Sequence, residues 1–85
     1  MYELEFSKTA IKRLRRLPQN LVRHMAEKLQ AIATDLYGYH NNVKKLVNRP
    51  GYRLRVGDWR IIYEIDVEKL KILVLEIDTR GGIYQ

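Results

Sequence analysis

Three arginines, Arg53, Arg55 and Arg60, flank the dipeptide Gly57-Asp58 in the stretch YRLRVGDWRIIY. A guanidinium is planar, stays charged at any physiological pH, and can fork two N–H donors onto two oxygens of one phosphate. Gly-Asp between two alternating apolar runs is a two-residue hairpin signal, with glycine supplying the positive φ. Pairing Val56 with Trp59 across that turn sets Arg55 opposite Arg60 and Arg53 opposite Ile62. Tyr52, Leu54, Val56, Trp59, Ile61 and Tyr63 then share the other face, which is apolar. Like charges directly opposite on a sheet destabilise it by roughly 0.2–1 kcal/mol per pair. The acids nearest in sequence, Asp58 and Glu64, sit at the turn and farther along the strand, so neither neutralises the whole trio. The trio therefore reads as an anion site suited to RNA phosphate; a solvated strand face with local salt bridges is the alternative. On this reading Arg60→Ala leaves the fold nearly intact.

Fewer residues around the hairpin offer other chemistry. Lys44, Lys45 and Arg49 lie just before it and extend the positive field toward RNA or a ribosome. Arg80 follows the last apolar run and could curl back over the arginine face, and Tyr84 is penultimate. His24 falls in a helical run and His40 in a turn; both read as ordinary polar residues. There is no Gly-rich phosphate loop, no metal-ligand spacing and no Ser/His/Asp set, so neither a metal nor a cofactor is expected.

The elements that must hold the hairpin follow from periodicity. Tyr2 to Phe6 alternates apolar and acidic residues, the period of a half-buried strand. Ser7 stands where a helix N-cap belongs, and Ala10, Ile11, Leu14 and Leu17 make the apolar stripe of a first helix. Pro18 ends it and suits the start of a second. That second helix is expected from about Gln19 to Leu36, with Leu21, Met25, Leu29, Ile32 and Leu36 facing the core and Val22, Ala26 and Ala33 widening the face. Residues 37–42 are turn chemistry, and Val43 to Val47 suit a short edge strand. Leu70 to Ile77 is nearly continuous apolar sequence, as expected of a strand buried within a sheet. The fold class is α+β in two layers: an N-terminal strand and a helical hairpin packed on a mostly antiparallel sheet of four or five strands.

Composition limits the rest. Eighty-five residues suffice for a single domain, 1–85, with one modest core. Cysteine is absent, and the longest apolar run, Ile72 to Leu75, is far too short to span a bilayer. The N-terminus lacks the pattern of a signal peptide, so the cytoplasm is the expected compartment, with no membrane partner. The net charge of +6 is uneven: residues 1–50 carry ten Lys/Arg against four Asp/Glu, and residues 51–85 carry six against six. Such an excess favours polyanions through phosphate contacts and counterion release.

The segment YRLRVGDWRIIY, the opening FSKTAIKRLRRL, KKL at 44–46, and a last strand followed by Arg and then Tyr together resemble RelE-type toxins of the RelE/ParE toxin–antitoxin superfamily. The resemblance implies a metal-independent endoribonuclease, an mRNA interferase that cuts mRNA in the ribosomal A site. Its nucleophile would be the ribose 2′-hydroxyl, attacking the adjacent phosphate to leave a cyclic phosphate and a 5′-hydroxyl. The family's basic residues map onto Arg53, Arg55 and Arg60, its post-strand arginine onto Arg80, and its C-terminal tyrosine onto Tyr84. Arg60 and Arg80 would brace the scissile phosphate, Arg53 and Arg55 would hold the RNA backbone, and Tyr84 would stack on a base or orient the nucleophile. Well-studied relatives have lysine where this chain has Arg53 and Arg55, and arginine does not give up its proton, so no general base is named.

A toxin of this kind implies translation inhibition and a cognate antitoxin held in a hetero-oligomer, besides the ribosome and mRNA. Two other readings compete. The ParE branch inhibits DNA gyrase without cutting RNA and needs no phosphate-bracing trio. A non-catalytic RNA- or ribosome-binding module would keep the basic surface and tolerate loss of Arg60.

Overall fold

In the computed structural model, described for residues 1–38 and 40–79, the chain runs β1 (Glu3–Phe6), α1 (Lys8–Leu14), α2 (Gln19–Thr34), β2 (Val43–Lys45), β3 (Tyr52–Val56), β4 (Trp59–Asp66) and β5 (Lys71–Thr79). The strands form one five-stranded sheet in the order β1-β5-β4-β3-β2. β1 lies parallel to β5, and every other neighbouring pair is antiparallel. This is the expected two-layer α+β arrangement, with two helices packed on a mixed sheet.

Ser7 joins the two layers. It follows β1 with extended backbone, and its Oγ accepts a hydrogen bond from Ala10 N at 3.0 Å, capping α1. The same hydroxyl donates to the carbonyl of Leu75 at 2.7 Å. Leu75 is the extra residue of a β-bulge, because Ile62 pairs with Glu76 whereas Tyr63 pairs with Val74. A bulge leaves a ladder carbonyl in need of a donor, and Ser7 supplies it. The bulge also explains the near-continuous apolar run of β5: Ile72 and Val74 face the helices, the phase slips at Leu75, and Ile77 faces the helices again.

α1 buries Ala10 and packs Leu14 and Leu17 against the core. Ile11, expected in that stripe, is 38% exposed; one residue on from Ala10, it has turned about 100° off the buried line. Pro18 accepts hydrogen bonds from Leu21 N and Val22 N, both at 3.1 Å, and so opens α2. α2 buries Met25, Leu29, Ile32 and Ala33, while Ala26 points outward. The helix stops at Thr34 rather than Leu36. Asp35 leaves helical geometry at φ −138°, and its carbonyl takes the Gly38 N–H and a His40 ring nitrogen instead. β2 likewise ends at Lys45, two residues short of the expected Val47, where the chain leaves the edge to cross the sheet. Among the described residues no helix is long and apolar enough to cross a membrane.

Candidate phosphate-binding face

The hairpin register is the expected one: Val56 pairs with Trp59, Arg55 with Arg60, and Arg53 with Ile62. Gly57 takes φ 61° at the turn, which a side chain would resist. Leu54, Val56, Ile61 and Tyr63 are core residues, and Tyr52 and Trp59 pack against them. The three arginines therefore share the face turned away from the helices. Two cross-strand rows run over it, Lys44–Arg53–Ile62–Glu76 and Arg55–Arg60–Asp78.

This face is less open than the hairpin alone suggests. Ile62 is fully buried and Arg60 is only 8% exposed, whereas Arg55 is exposed and Arg53 is half-buried. The connection between β2 and β3 folds across the sheet beside Ile62. Gly51, at φ 109°, lies so close to β4 that a Cβ there would fall 2.7 Å from the Tyr63 carbonyl and 3.2 Å from Glu64 Cγ. Leu46 N donates to the Gly51 carbonyl at 3.0 Å, closing the loop. Arg49, at its tip, reaches Glu76 on β5, with Nη1 3.7 Å from Oε2. The Nε atoms of Arg53 and Arg60 are shut off from solvent, and Arg60 Nη1 donates to the Trp59 carbonyl at 3.2 Å.

Besides Glu64, which follows Arg60 and Ile62 along β4, this face carries two acids from β5. Asp78 is the register partner of Arg60 on β5, and Glu76 that of Ile62. Asp78 also binds Arg13 of α1, with Nη2 3.2 Å from Oδ1, and Arg13 lies 5.8 Å from the centre of the Trp59 ring. Among the described residues β1 pairs with β5 only as far as Val74, so no strand lies beside Asp78 on that side. The sequence signal for Glu76 and Asp78 was their alternation, but the bulge decides which face they occupy. The trio thus has carboxylates from β5 beside it, in addition to the sequence-adjacent Asp58 and Glu64.

Of the supporting cations, Lys44 and Arg49 join this face. Lys45 does not. It pairs with Tyr52 and lines a cleft of about 690 Å3 at the opposite end of the sheet, with Tyr37, His40, Val43, Tyr52 and Tyr63. The Tyr52 and Tyr63 rings stack there with centroids 5.5 Å apart. Burial, and after it the neighbouring Tyr52, pushes the Tyr63 hydroxyl up to about 12, so it stays protonated. Arg80 and Tyr84 lie outside the described residues; the last described residue, Thr79, pairs with Trp59.

The arrangement is that of a basic sheet face with Lys44, Arg49 and Arg55 presented to solvent and Arg53 and Arg60 set into the surface behind them. A family model, the ParE toxin of type II toxin–antitoxin systems (parDE), matches residues 4–84. The chain belongs to the ParE toxin family. It is accordingly the toxin of a type II toxin–antitoxin system. No curated protein sequence matches this toxin. Its fold is shared by the archaeal RelE–RelB complex of Pyrococcus horikoshii OT3, at 27% identity and a TM-score of 0.78 over 94% of this chain and 96% of that one. The intact E. coli RelBE toxin–antitoxin complex is similar at 23% identity and a TM-score of 0.79, over 93% and 96%. A YoeB/ParE toxin from Agrobacterium tumefaciens has only 10% identity yet a TM-score of 0.78, over 92% and 98%. The RelE/ParE resemblance read from YRLRVGDWRIIY therefore holds for both the family and the fold.

Proposed function

We propose that this toxin is a ribosome-dependent mRNA endoribonuclease that acts in the cytoplasm and inhibits translation. The observation that carries the reading is the exposed Arg55 beside Arg53, Arg60 and Lys44 on one sheet face. In the proposed reaction the 2′-hydroxyl oxygen bonds to the adjacent phosphorus, the P–O5′ bond breaks, and a cyclic phosphate and a 5′-hydroxyl result. Negative charge grows on the phosphate oxygens in the transition state, where preorganised guanidinium groups act most strongly. Arg55 contacts the phosphate directly, Arg53 and Arg60 supply a fixed positive field behind it, and Lys44 and Arg49 guide the flanking backbone. Arg80 and Tyr84 belong to the site by resemblance, bracing the phosphate and stacking a base. Arginine makes a poor proton acceptor, so the rate enhancement rests on electrostatics and on alignment of the mRNA by the ribosome.

A cognate antitoxin would neutralise the toxin in a hetero-oligomer, as the RelE–RelB and RelBE complexes pair a toxin with its antitoxin. An acidic antitoxin segment suits the same basic face. Lys45 has no place in the catalytic face on this reading.

A second reading, inhibition of DNA gyrase, is favoured by the family model itself, which is that of ParE. One experiment separates the two. Toxin is added to programmed ribosomes and new mRNA 5′ ends are mapped by primer extension, while a parallel reaction follows gyrase supercoiling. Cuts in the A site, lost in Arg55→Ala, are the expected result. Intact mRNA together with blocked supercoiling would overturn the nuclease reading in favour of the gyrase one.

A further inference from the structure

Thr9, Lys12, Arg13 and Arg16 line a groove of about 310 Å3 on the solvent side of α1. Their spacing of i, i+3, i+4 and i+7 stacks them along one side of the helix. Arg16 N donates to the Arg13 carbonyl at 3.0 Å, so the winding continues as far as Arg16. Lys8 and Lys12, and Lys12 and Arg16, are like-charged pairs four residues apart; Lys12 and Arg15, and Arg13 and Arg16, are such pairs three apart. Like charges at those spacings destabilise a helix. No Asp or Glu lies between Glu5 and Glu27 to relieve them. The carbonyl end of α1 favours cations in its last turn, which offsets part of the repulsion for Lys12 and Arg13. It does not require a groove with cations on its walls.

Arg13 links the groove to the end of β5 beside the sheet site. It forms the groove's inner wall, binds Asp78 at 3.2 Å and lies over Trp59, the neighbour of Arg60. Lys12 and Arg16 are exposed. A strand crossing the arginine face at Arg60 and Asp78 would meet this groove next.

We propose that α1 carries a second phosphate-binding surface, Lys12 and Arg16 with Thr9 and Arg13, which holds the backbone of single-stranded RNA. The inference deepens the RNA reading above and rests on it for the identity of the polyanion. Guanidinium and ammonium groups contact successive phosphates, the Thr9 hydroxyl offers a further donor, and no base is read.

The test is fluorescence anisotropy with a labelled, unstructured 2′-O-methyl oligoribonucleotide of about 12 nucleotides, which spans several phosphates and cannot be cut. The proteins are wild type, Lys12→Gln/Arg16→Gln, and Arg23→Gln/Lys28→Gln on α2, which removes equal charge elsewhere. Unfolding midpoints confirm that all three are folded. The α1 pair should weaken binding at least tenfold and reduce the salt slope by about 1.4, at roughly 0.7 per phosphate contact on a single strand. The α2 pair should change affinity less than twofold. Equal losses in the two pairs would overturn the proposal, because only net charge would then matter. So would a glutamate-rich peptide that binds wild type as tightly as the RNA and loses as much to the α1 change, since the groove would then serve a protein. Arg55→Ala is measured alongside. If it leaves binding intact while the α1 pair weakens it, the groove stands and the sheet-face reading falls.

Discussion

Arg55 and Arg60 are register partners across the β3–β4 ladder, yet Arg55 is exposed and Arg60 is only 8% exposed. Two like charges meet at one point of the sheet in different dielectric surroundings, so they should respond differently to removal. Arg55→Ala should leave stability unchanged or raise it by roughly 0.2–1 kcal/mol through lost repulsion, while abolishing ribosome-dependent cleavage. Arg60→Ala should cost on the order of 1–3 kcal/mol, because it empties packed volume and removes the hydrogen bond to the Trp59 carbonyl. This replaces the expectation, drawn from the hairpin alone, that Arg60→Ala is nearly neutral. Urea unfolding of both variants decides the matter. Equal midpoints for Arg60→Ala and wild type would mean that the buried guanidinium contributes nothing to the fold.

Ser7 serves two elements with one hydroxyl, accepting from Ala10 N and donating to Leu75 O. Ser7→Ala should therefore cost about 1–3 kcal/mol, more than a cap alone. Ser7→Asp keeps the acceptor for the helix but offers the bulge no donor, so it should recover only part of the loss. Full recovery in thermal melts would show that the contact to Leu75 is energetically idle.

Leu54 and Ile61 face each other across the hairpin, 1% and 0% exposed. Truncating either to alanine should cost on the order of 2–5 kcal/mol, through lost transfer energy and the cavity left behind. In a domain this small, such a loss should show as a collapse of near-UV dichroism at growth temperature.

The buried Tyr63 hydroxyl, pushed up to about 12, gives stability an alkaline limit. An unfolded tyrosine ionises near pH 10, so above that pH the unfolded chain loses its proton first. Folding stability from this group is complete below about pH 10 and should fall as pH rises toward 12. Tyr63→Phe should flatten that decline in urea midpoints collected from pH 9 to about 12. An unchanged slope would place the alkaline sensitivity elsewhere.

Alternation and turn chemistry by themselves determined the hairpin, the partnership of Arg55 with Arg60, the apolar face beneath them, the cap at Ser7 and the two helices. Each of these depends on residues close in sequence, where backbone geometry leaves few options. The family was legible for the same reason, since YRLRVGDWRIIY lies wholly within one hairpin. The tertiary structure alone decided what surrounds the arginines. Whether Glu76 and Asp78 share their face depends on a bulge at Leu75 that strict alternation does not announce. The pairing of Arg49 with Glu76 depends on a loop crossing two strands, and the engagement of Asp78 depends on Arg13, sixty-five positions earlier in the chain. Burial and charge pairing sum over neighbours brought together from distant segments, so they become defined only when the layers close.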